Sequence, residues 1–458
     1  SFDPIQKDTE MVLGEVNKYL KEKINATLKN TIMTTEDYQA KVPVMLAAGQ
    51  EMDAVFAPTW GSVQIYSNIA KGAFAPMNAL LDKYGKEVKQ AIPQLLWDAN
   101  TIKGNIYAVP MYKEVGHQFG FFLNKDMVTK YAIDPGAIKK FTDIEPALKT
   151  IKEQASGVMP YSGGSMYNMA FPLEYVTGDW VLPGVLNVKG AEHFARTDDK
   201  IFNQYETPEF MAFCQTVYKW NKLGYIPKNP DEYVTKVSTE DKAGKLFASA
   251  LWYAPNYEAT YGASVGHEVV WVPCYDPIAE TGDIGGFAIC NTSANAERTM
   301  MYLNLLYTDK KLGTLLRHGI EGTHYTKIDE NTLDMTGTGQ DLKNHSYNCN
   351  MGWQFGNIFN SMLDKTVPAN TFDAYLNYNK TAKGATGLGF VFDQTAIAAE
   401  IAALQNVIKQ YFPPLVNGMV DPAVYVPKFT KELRANNVDR LMEEVQKQFD
   451  AWKAATGK

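Results

Sequence analysis

The chain has 458 residues with 45% hydrophobic and 21% charged content. At roughly 150 residues per domain that is enough for two or three cores, and the balance excludes a disordered chain. A net charge of −7, with its charges dispersed, leaves no basic patch to neutralise phosphates and argues against nucleic acid as a partner. Cys214, Cys274, Cys290 and Cys349 form no CxxC pair, so buried free thiols are expected rather than a zinc site; no apolar run approaches the ~20 residues of a membrane span.

Val12, Val16, Tyr19 and Leu20 recur at helical spacing behind the cap candidates Asp8 and Thr9, predicting an amphipathic helix. A strand is predicted at Ala26–Met33, a helix at Thr35–Ala48 stopped by Gly49, and a buried strand at Met52–Ala57 stopped by Pro58. This alternation predicts βαβ units and a parallel sheet. Lys103-Gly104-Asn105 predicts a hairpin between Trp97–Ile102 and Ile106–Val109. Phe119–Leu123 reads as a strand, and Thr142–Lys152 as a helix with Thr142 as cap and Glu145 completing a capping box. Pro208–Leu223 has Pro in its first turn and Gly224 past its end, the expected asymmetry of a helix. Strands follow at Val269–Val272 and at Phe287–Cys290, behind Gly285-Gly286. Ala294–Arg317 is helical with a break near Asp309, and Gln394–Tyr411 and Val438–Trp452 each carry one apolar face. Without a long linker, two lobes would have to exchange the chain more than once.

No P-loop or HExxH occurs, Gly163-Gly164 and Gly285-Gly286 do not build GxGxxG, and the histidines are scattered. No catalytic residue, metal or cofactor is therefore expected, and the chain is read as a binding protein. Glu114 and Asp179 are the acids to inspect for a glycosidase pair, though nothing raises them above background. The positive signal is aromatic: Trp60, Tyr112, Tyr167, Trp252 and Tyr253 follow predicted strand ends, where open α/β sheets bind ligands. Such rings can stack on sugar C–H faces beside hydroxyl-binding polar groups; an isolated ring near a strand end is more often packing. Trp271, inside a strand, is assigned to the core.

Several segments together resemble the extracellular solute-binding proteins of ATP-binding-cassette importers, of the sugar-binding type found on Gram-positive bacteria. They are Gln6–Thr9 with Glu15–Ala26, Ala70–Met77, Lys103–Pro110, Thr292–Met300 with Tyr302–Asp309, Gly319–Tyr325 and Gln446–Trp452. The resemblance implies an α/β, periplasmic-binding-protein-like clamshell (type II) of two lobes joined by hinge crossings. Lobe 1 would comprise 1–112 and 286–347, and lobe 2 113–285 and 348–458. It implies a monomer outside the cytoplasm, on the cell surface, handing its ligand to transmembrane permease subunits. A lipid anchor on an N-terminal Cys, trimmed from the chain, would hold it there. The family's binding positions fall on Trp60 and Gln64, on Tyr112, Glu114 and His117, on Tyr167 and Asn168, on Trp252, Tyr253 and Asn256, and on Asn350 and Trp353. Asp179 and Trp180 are added as a polar–aromatic pair. Tyr112–Lys113, Ile284–Gly286 and Ser346–Gly352 are the hinge candidates. An oligosaccharide is the expected ligand. The alternatives are a peptide, nucleoside or sugar acid on the same fold, or a carbohydrate-active enzyme. With Lys113 the one well-placed cation, a neutral ligand is favoured.

Overall fold

The first helix forms where the apolar spacing puts it: Thr9–Ile24 buries Val12, Val16 and Leu20 and ends on Asn25 in the left-handed conformation. The computed structural model describes residues 5–59, 61–116, 118–163, 200–228, 239–274, 277–279, 285–338, 346–349, 354, 356–384, 387, 389–390 and 392–457. Among these the strands, in chain order, are β1 (Ala54–Pro58), β2 (Thr101–Ile102), β3 (Asn105–Ile106), β4 (Val109–Pro110), β5 (Phe119–Asn124), β6 (Met159–Tyr161), β7 (Leu246–Trp252), β8 (Val269–Pro273), β9 (Ile278–Ala279), β10 (Gly285–Ile289), β11 (Thr326–Lys327), β12 (Thr332–Asp334), β13 (Leu363–Asp364) and β14 (Lys383–Gly384).

Two sheets organise the molecule. The first has the order β1-β10-β4 and the second β6-β7-β5-β8. In the first, β10 runs antiparallel to both neighbours, so the helix–strand alternation at the start of the chain does not close a βαβ unit; the partner of β1 arrives from more than two hundred residues downstream. In the second, β7 is parallel to β6 and antiparallel to β5, which is antiparallel to β8. Each sheet has its own interior. Val55, Phe56 and Ala288 are buried around the first sheet, where Leu303, Leu306 and Tyr307 are buried behind Val109. Phe121, Leu123, Phe247 and Val272 share the second interior with Trp220, Leu404, Leu441 and Phe449. The result is a two-lobe α/β clamshell.

Local chemistry explains where elements form and where they do not. The strand expected at Ala26–Met33 is absent apart from a bridge at Met33. The side chain of Asn17 takes both the N–H (2.5 Å) and the C=O (3.1 Å) of Leu28, groups a ladder would need. The hairpin forms as β2–β3 alone, across Lys103 (φ 50°) and Gly104 (φ 81°), the paired positive φ of a type I′ turn. Trp97 belongs instead to a short helix, Gln94–Ala99, and is buried, while β4 joins the first sheet. Thr142 is not a cap: a 3-10 turn, Phe141–Ile144, precedes the helix Glu145–Gln154, and Asp143 accepts from the N–H groups of Lys139 and Lys140, both at 3.1 Å.

Other expectations hold closely. Pro208–Leu223 is a helix capped by the Thr207 side chain and closed by Gly224 at φ 70°. The break at Asp309 separates Ala296–Thr308 from Lys310–His318, and its carboxylate caps the second helix by accepting from Leu312 N–H at 2.9 Å. No disulfide joins the four cysteines. No described helix is long and apolar enough to cross a membrane.

Candidate ligand-binding site

Strand register fixes which strand ends share an edge in each sheet. In the first, the end of β1 (Pro58) lies opposite the start of β10 (Gly285), and β4 ends at the same edge, where Met111 N–H donates to Gly285 C=O at 2.9 Å. In the second, β7 ends with Trp252 opposite Phe119, the first residue of β5, and β8 ends with Pro273 opposite Gly120. β6, parallel to β7, runs toward this edge and stops with Tyr161 opposite Ala248. The segment between β4 and β5 joins the two edges, so the carboxyl ends of strands from both sheets border one region, the position at which open α/β sheets bind ligands.

A helix that the sequence reading missed, Thr371–Thr381, lies across this region. Its Phe372, Tyr375 and Tyr378 recur every three residues, a spacing that puts them along one flank. Phe372 and Tyr375 pack edge-on against Phe359 (5.6 and 6.4 Å between centroids), which itself packs against Tyr112 at 4.7 Å. Tyr378 meets Tyr253 edge-on at 6.0 Å. Asn379 pins the helix to the crossing segment: its Oδ1 accepts from Val115 N–H and its Nδ2 donates to Lys113 C=O, both at 2.8 Å. At the other end, Asn256 Nδ2 donates to Asn370 Oδ1 (3.2 Å) and Thr371 Oγ1 (3.1 Å).

Around this helix the half-exposed groups converge. Tyr253 stacks on Trp271, centroids 4.7 Å apart and planes 13° from parallel. Trp271 is therefore not a core residue: it is half-buried, lying over Gly120, where a Cβ would come within 2.8 Å of its ring. Phe122 underlies Trp271 and is flanked by Tyr257 and Tyr261. Burial, and secondarily the negative field of Glu114, raises the hydroxyl pKa of both Tyr257 and Tyr375, so the charge of Glu114 acts on both rings. Burial likewise pushes Tyr253 up to about 12. Lys113 Nζ lies 3.3 Å from Glu114 Oε1, the two side chains 16% and 28% exposed. Arg317 Nη1 donates to Ile358 C=O at 3.0 Å, and Arg317 also feels Glu114.

Of the residues singled out from sequence, Glu114, Tyr253 and Asn256 are brought together here. Tyr112 is 9% exposed and serves the first interior, bridging to Asn357. Gln64 opens the helix Ile65–Ala70, where its carbonyl accepts from Ser67 and Asn68 side chains. Trp252 ends β7, its side chain outside the described set. Trp60, His117, Tyr167, Asn168, Asp179, Trp180, Asn350 and Trp353 lie outside the described residues. Trp271, Tyr257, Tyr375 and Tyr378 were missed; the three-residue aromatic repeat of Phe372, Tyr375 and Tyr378 was the signal that could have found the last two. Among the described residues no three His, Cys, Asp or Glu side chains are grouped to hold a metal ion. Partly exposed rings beside a carboxylate can cover the apolar face of a small solute and accept hydrogen bonds from its hydroxyls.

The chain is 29% identical over 453 residues to a carbohydrate ABC transporter substrate-binding protein of Streptococcus pneumoniae, covering 96% of this chain and 87% of the relative. Among solved structures, it superposes with a TM-score of 0.85 at 27% identity on an N-glycan transport solute-binding protein (NgtS) from Streptococcus pneumoniae, covering 98% of this chain and 97% of the other. Structures of NgtS in complex with Man1GlcNAc and Man5GlcNAc, at the same identity, give 0.77 (98% of each chain covered) and 0.74 (98% and 97%). Residues 386–454 match a domain of unknown function. Residues 16–317 match the model of the bacterial extracellular solute-binding proteins, and the chain, with strand ends of two sheets bordering one aromatic region, belongs to that family.

Proposed function

We propose that the protein captures a neutral oligosaccharide between its lobes and delivers it to an ATP-binding-cassette importer, without catalysing a reaction. The observation that carries this is the meeting of Tyr253, stacked on Trp271, with Tyr257, Tyr375 and Glu114 at the carboxyl ends of strands. Rings of this kind suit pyranose faces, and Glu114 and the tyrosine hydroxyls suit sugar hydroxyls. The likeness to NgtS, solved with Man1GlcNAc and Man5GlcNAc, supports a glycan. The neutral preference follows from charge: Lys113 is engaged by Glu114, and Arg317 by the Ile358 carbonyl and the field of Glu114, so neither is an uncompensated cation for a sugar acid.

The lobes are proposed to be built on the two interiors. The proposed first lobe keeps 1–112 and 286–347 and the second 113–285, a division supported by Val12, Leu81 and Leu306 in the first interior and Phe121, Trp220 and Phe247 in the second. The remainder, 348–458, divides: Phe359, Leu376 and Ala382 pack on the first interior, Phe390 through Phe449 on the second. Ligand touching both lobes draws them together by favouring the closed population. Permease subunits as partners, a monomeric state and an N-terminal lipid anchor belong to this reading.

A thermal-shift screen followed by calorimetry tests it. Man5GlcNAc, Man1GlcNAc, a uronate oligosaccharide, a nucleoside and an oligopeptide form the panel. Stabilisation by a neutral glycan, rising with its concentration, is the expected result. Stabilisation by the uronate, nucleoside or peptide alone overturns the neutral-glycan reading, and release of reducing ends overturns the non-catalytic one.

A further inference from the structure

The three segments the sequence nominates for bending are held wherever they are described. Tyr112 N–H donates to Gly356 C=O at 2.8 Å and its C=O accepts from Ile358 N–H at 2.9 Å, while Asn379 clamps Lys113 and Val115. Gly285 and Gly286 sit inside the three-stranded ladder, paired with Pro58, Ala57 and Pro110. A Cβ on Gly286 would approach Val109 O to 1.9 Å; the glycine there permits close strand approach, and bending would break the ladder. Ser346 C=O accepts from Asp8 N–H at 3.1 Å. The Gln6 side-chain amide brackets Asn348, its Nε2 donating to the Asn348 C=O at 2.7 Å and its Oε1 accepting from the Asn348 N–H.

The crossings themselves converge elsewhere. The second and third pair as the parallel ribbon β9–β14, Ile278 opposite Lys383 and Ala279 opposite Gly384. The first passes them at Gly116, where a built Cβ would lie 3.0 Å from Ala382 Cβ, 3.1 Å from Pro277 Cβ and 3.1 Å from Tyr378 Cε1. One residue from each crossing, and one from the helix Thr371–Thr381, meet at a position without a side chain.

We propose that Gly116 is the pivot of lobe movement. The Asn379 clamp ties Lys113–Val115 to the helix Thr371–Thr381, the helix runs through Ala382 into the β9–β14 ribbon that joins the other two crossings, and the missing side chain at Gly116 lets the first crossing turn against Ala382 and Pro277. The inference rests on the lobe-closure reading above, but its test needs no ligand.

Spin labels on Val44→Cys and Val424→Cys, 67% and 46% exposed in the parent, report the lobe separation by pulsed electron resonance, with Cys274 and Cys349 replaced by Ser in every protein compared. Gly116→Val is expected to shift and narrow the ligand-free distance distribution, and Gly116→Ala to do so by less. Gly14→Ala, where no atom lies within 4 Å of the added Cβ, leaves it unchanged. Asn379→Ala broadens it by releasing the clamp. If Gly116→Val does not fold, as judged by its melting curve, Gly116→Ala decides. Distributions at Gly116 matching the parent overturn the pivot, as does an Asn379→Ala distribution no broader than the parent's. Failure of the glycan reading would appear only in the ligand screen.

Discussion

Tyr253 and Trp271 lie face to face, ring centroids 4.7 Å apart and planes 13° from parallel, although one follows β7 and the other lies within β8. Strand β5 between them carries Gly120 beneath the indole; a side chain there would displace the ring. Tyr253→Ala removes the stacked ring and is expected to weaken glycan affinity about tenfold or more, ~1.4 kcal/mol. Tyr253→Phe keeps most of the affinity. Calorimetry on both variants checks this, and equal affinities for Tyr253→Ala and the parent would remove the ring from the site.

Glu114 separates the electrostatic role of the site from its shape. Glu114→Gln keeps the volume and a hydrogen-bonding oxygen but releases Lys113 from its pair. The variant is expected to lose affinity for neutral glycan and to gain it for a uronate oligosaccharide, the gain shrinking with added salt. Competition calorimetry at two ionic strengths reads the switch; unchanged discrimination would place Glu114 outside the binding region.

Asp309 ties two helices to a third. One oxygen caps Lys310–His318 through Leu312 N–H, and the other accepts from Tyr19 OH at 2.8 Å. Asp309→Ala removes the cap and leaves that hydroxyl without its acceptor, for a destabilisation of about 1–3 kcal/mol. Asp309→Asn retains most of it. Urea denaturation measures both, with ligand affinity expected to be unchanged.

His318 predicts an acid sensitivity. Burial first, and then the neighbouring Arg317 charge, lower its pKa from 6.5 to about 4. A depressed pKa on a base means that the unfolded chain takes up the proton first. Stability from this group is complete above about pH 6.5 and falls as the pH drops toward 4, with a slope of up to about 1.4 kcal/mol per pH unit. Melting temperatures between pH 7 and 4 are expected to decline less steeply in His318→Gln than in the parent. Parallel declines would assign the acid sensitivity to other groups.

Raised tyrosine pKa values give the opposite edge. Tyr253 and Tyr325 are each pushed up to about 12, chiefly by burial. Their unfolded counterparts ionise near 10, so stability present below that pH is lost as it rises from about 10 toward 12. A falling melting temperature across that window, with Tyr325→Phe flattening the slope, is the expected result.

Wherever a structure is decided by neighbours in the chain, the sequence alone determined it. The helix Pro208–Leu223 shows this, with Thr207 and Gly224 at its ends. So does the break at Asp309, where one carboxylate reads an N–H three residues on, and the turn at Lys103-Gly104. The two-lobe fold was legible because several moderately specific segments occurred in order along the whole chain. Tertiary structure decided what depends on residues far apart. The strand expected before Met33 gave way to the Asn17 side chain, and the parallel opening to an antiparallel partner from residues 285–289. Trp271 left the core because Gly120, distant in sequence, opens a place for it. The glycine pair at 285–286 looked like the flexible joint, yet a sheet ladder holds it. Gly116, which nothing in its local sequence distinguishes, is where three crossings touch. Backbone freedom is a local property that a sequence displays; whether the surroundings let it be used is settled only by what packs against it.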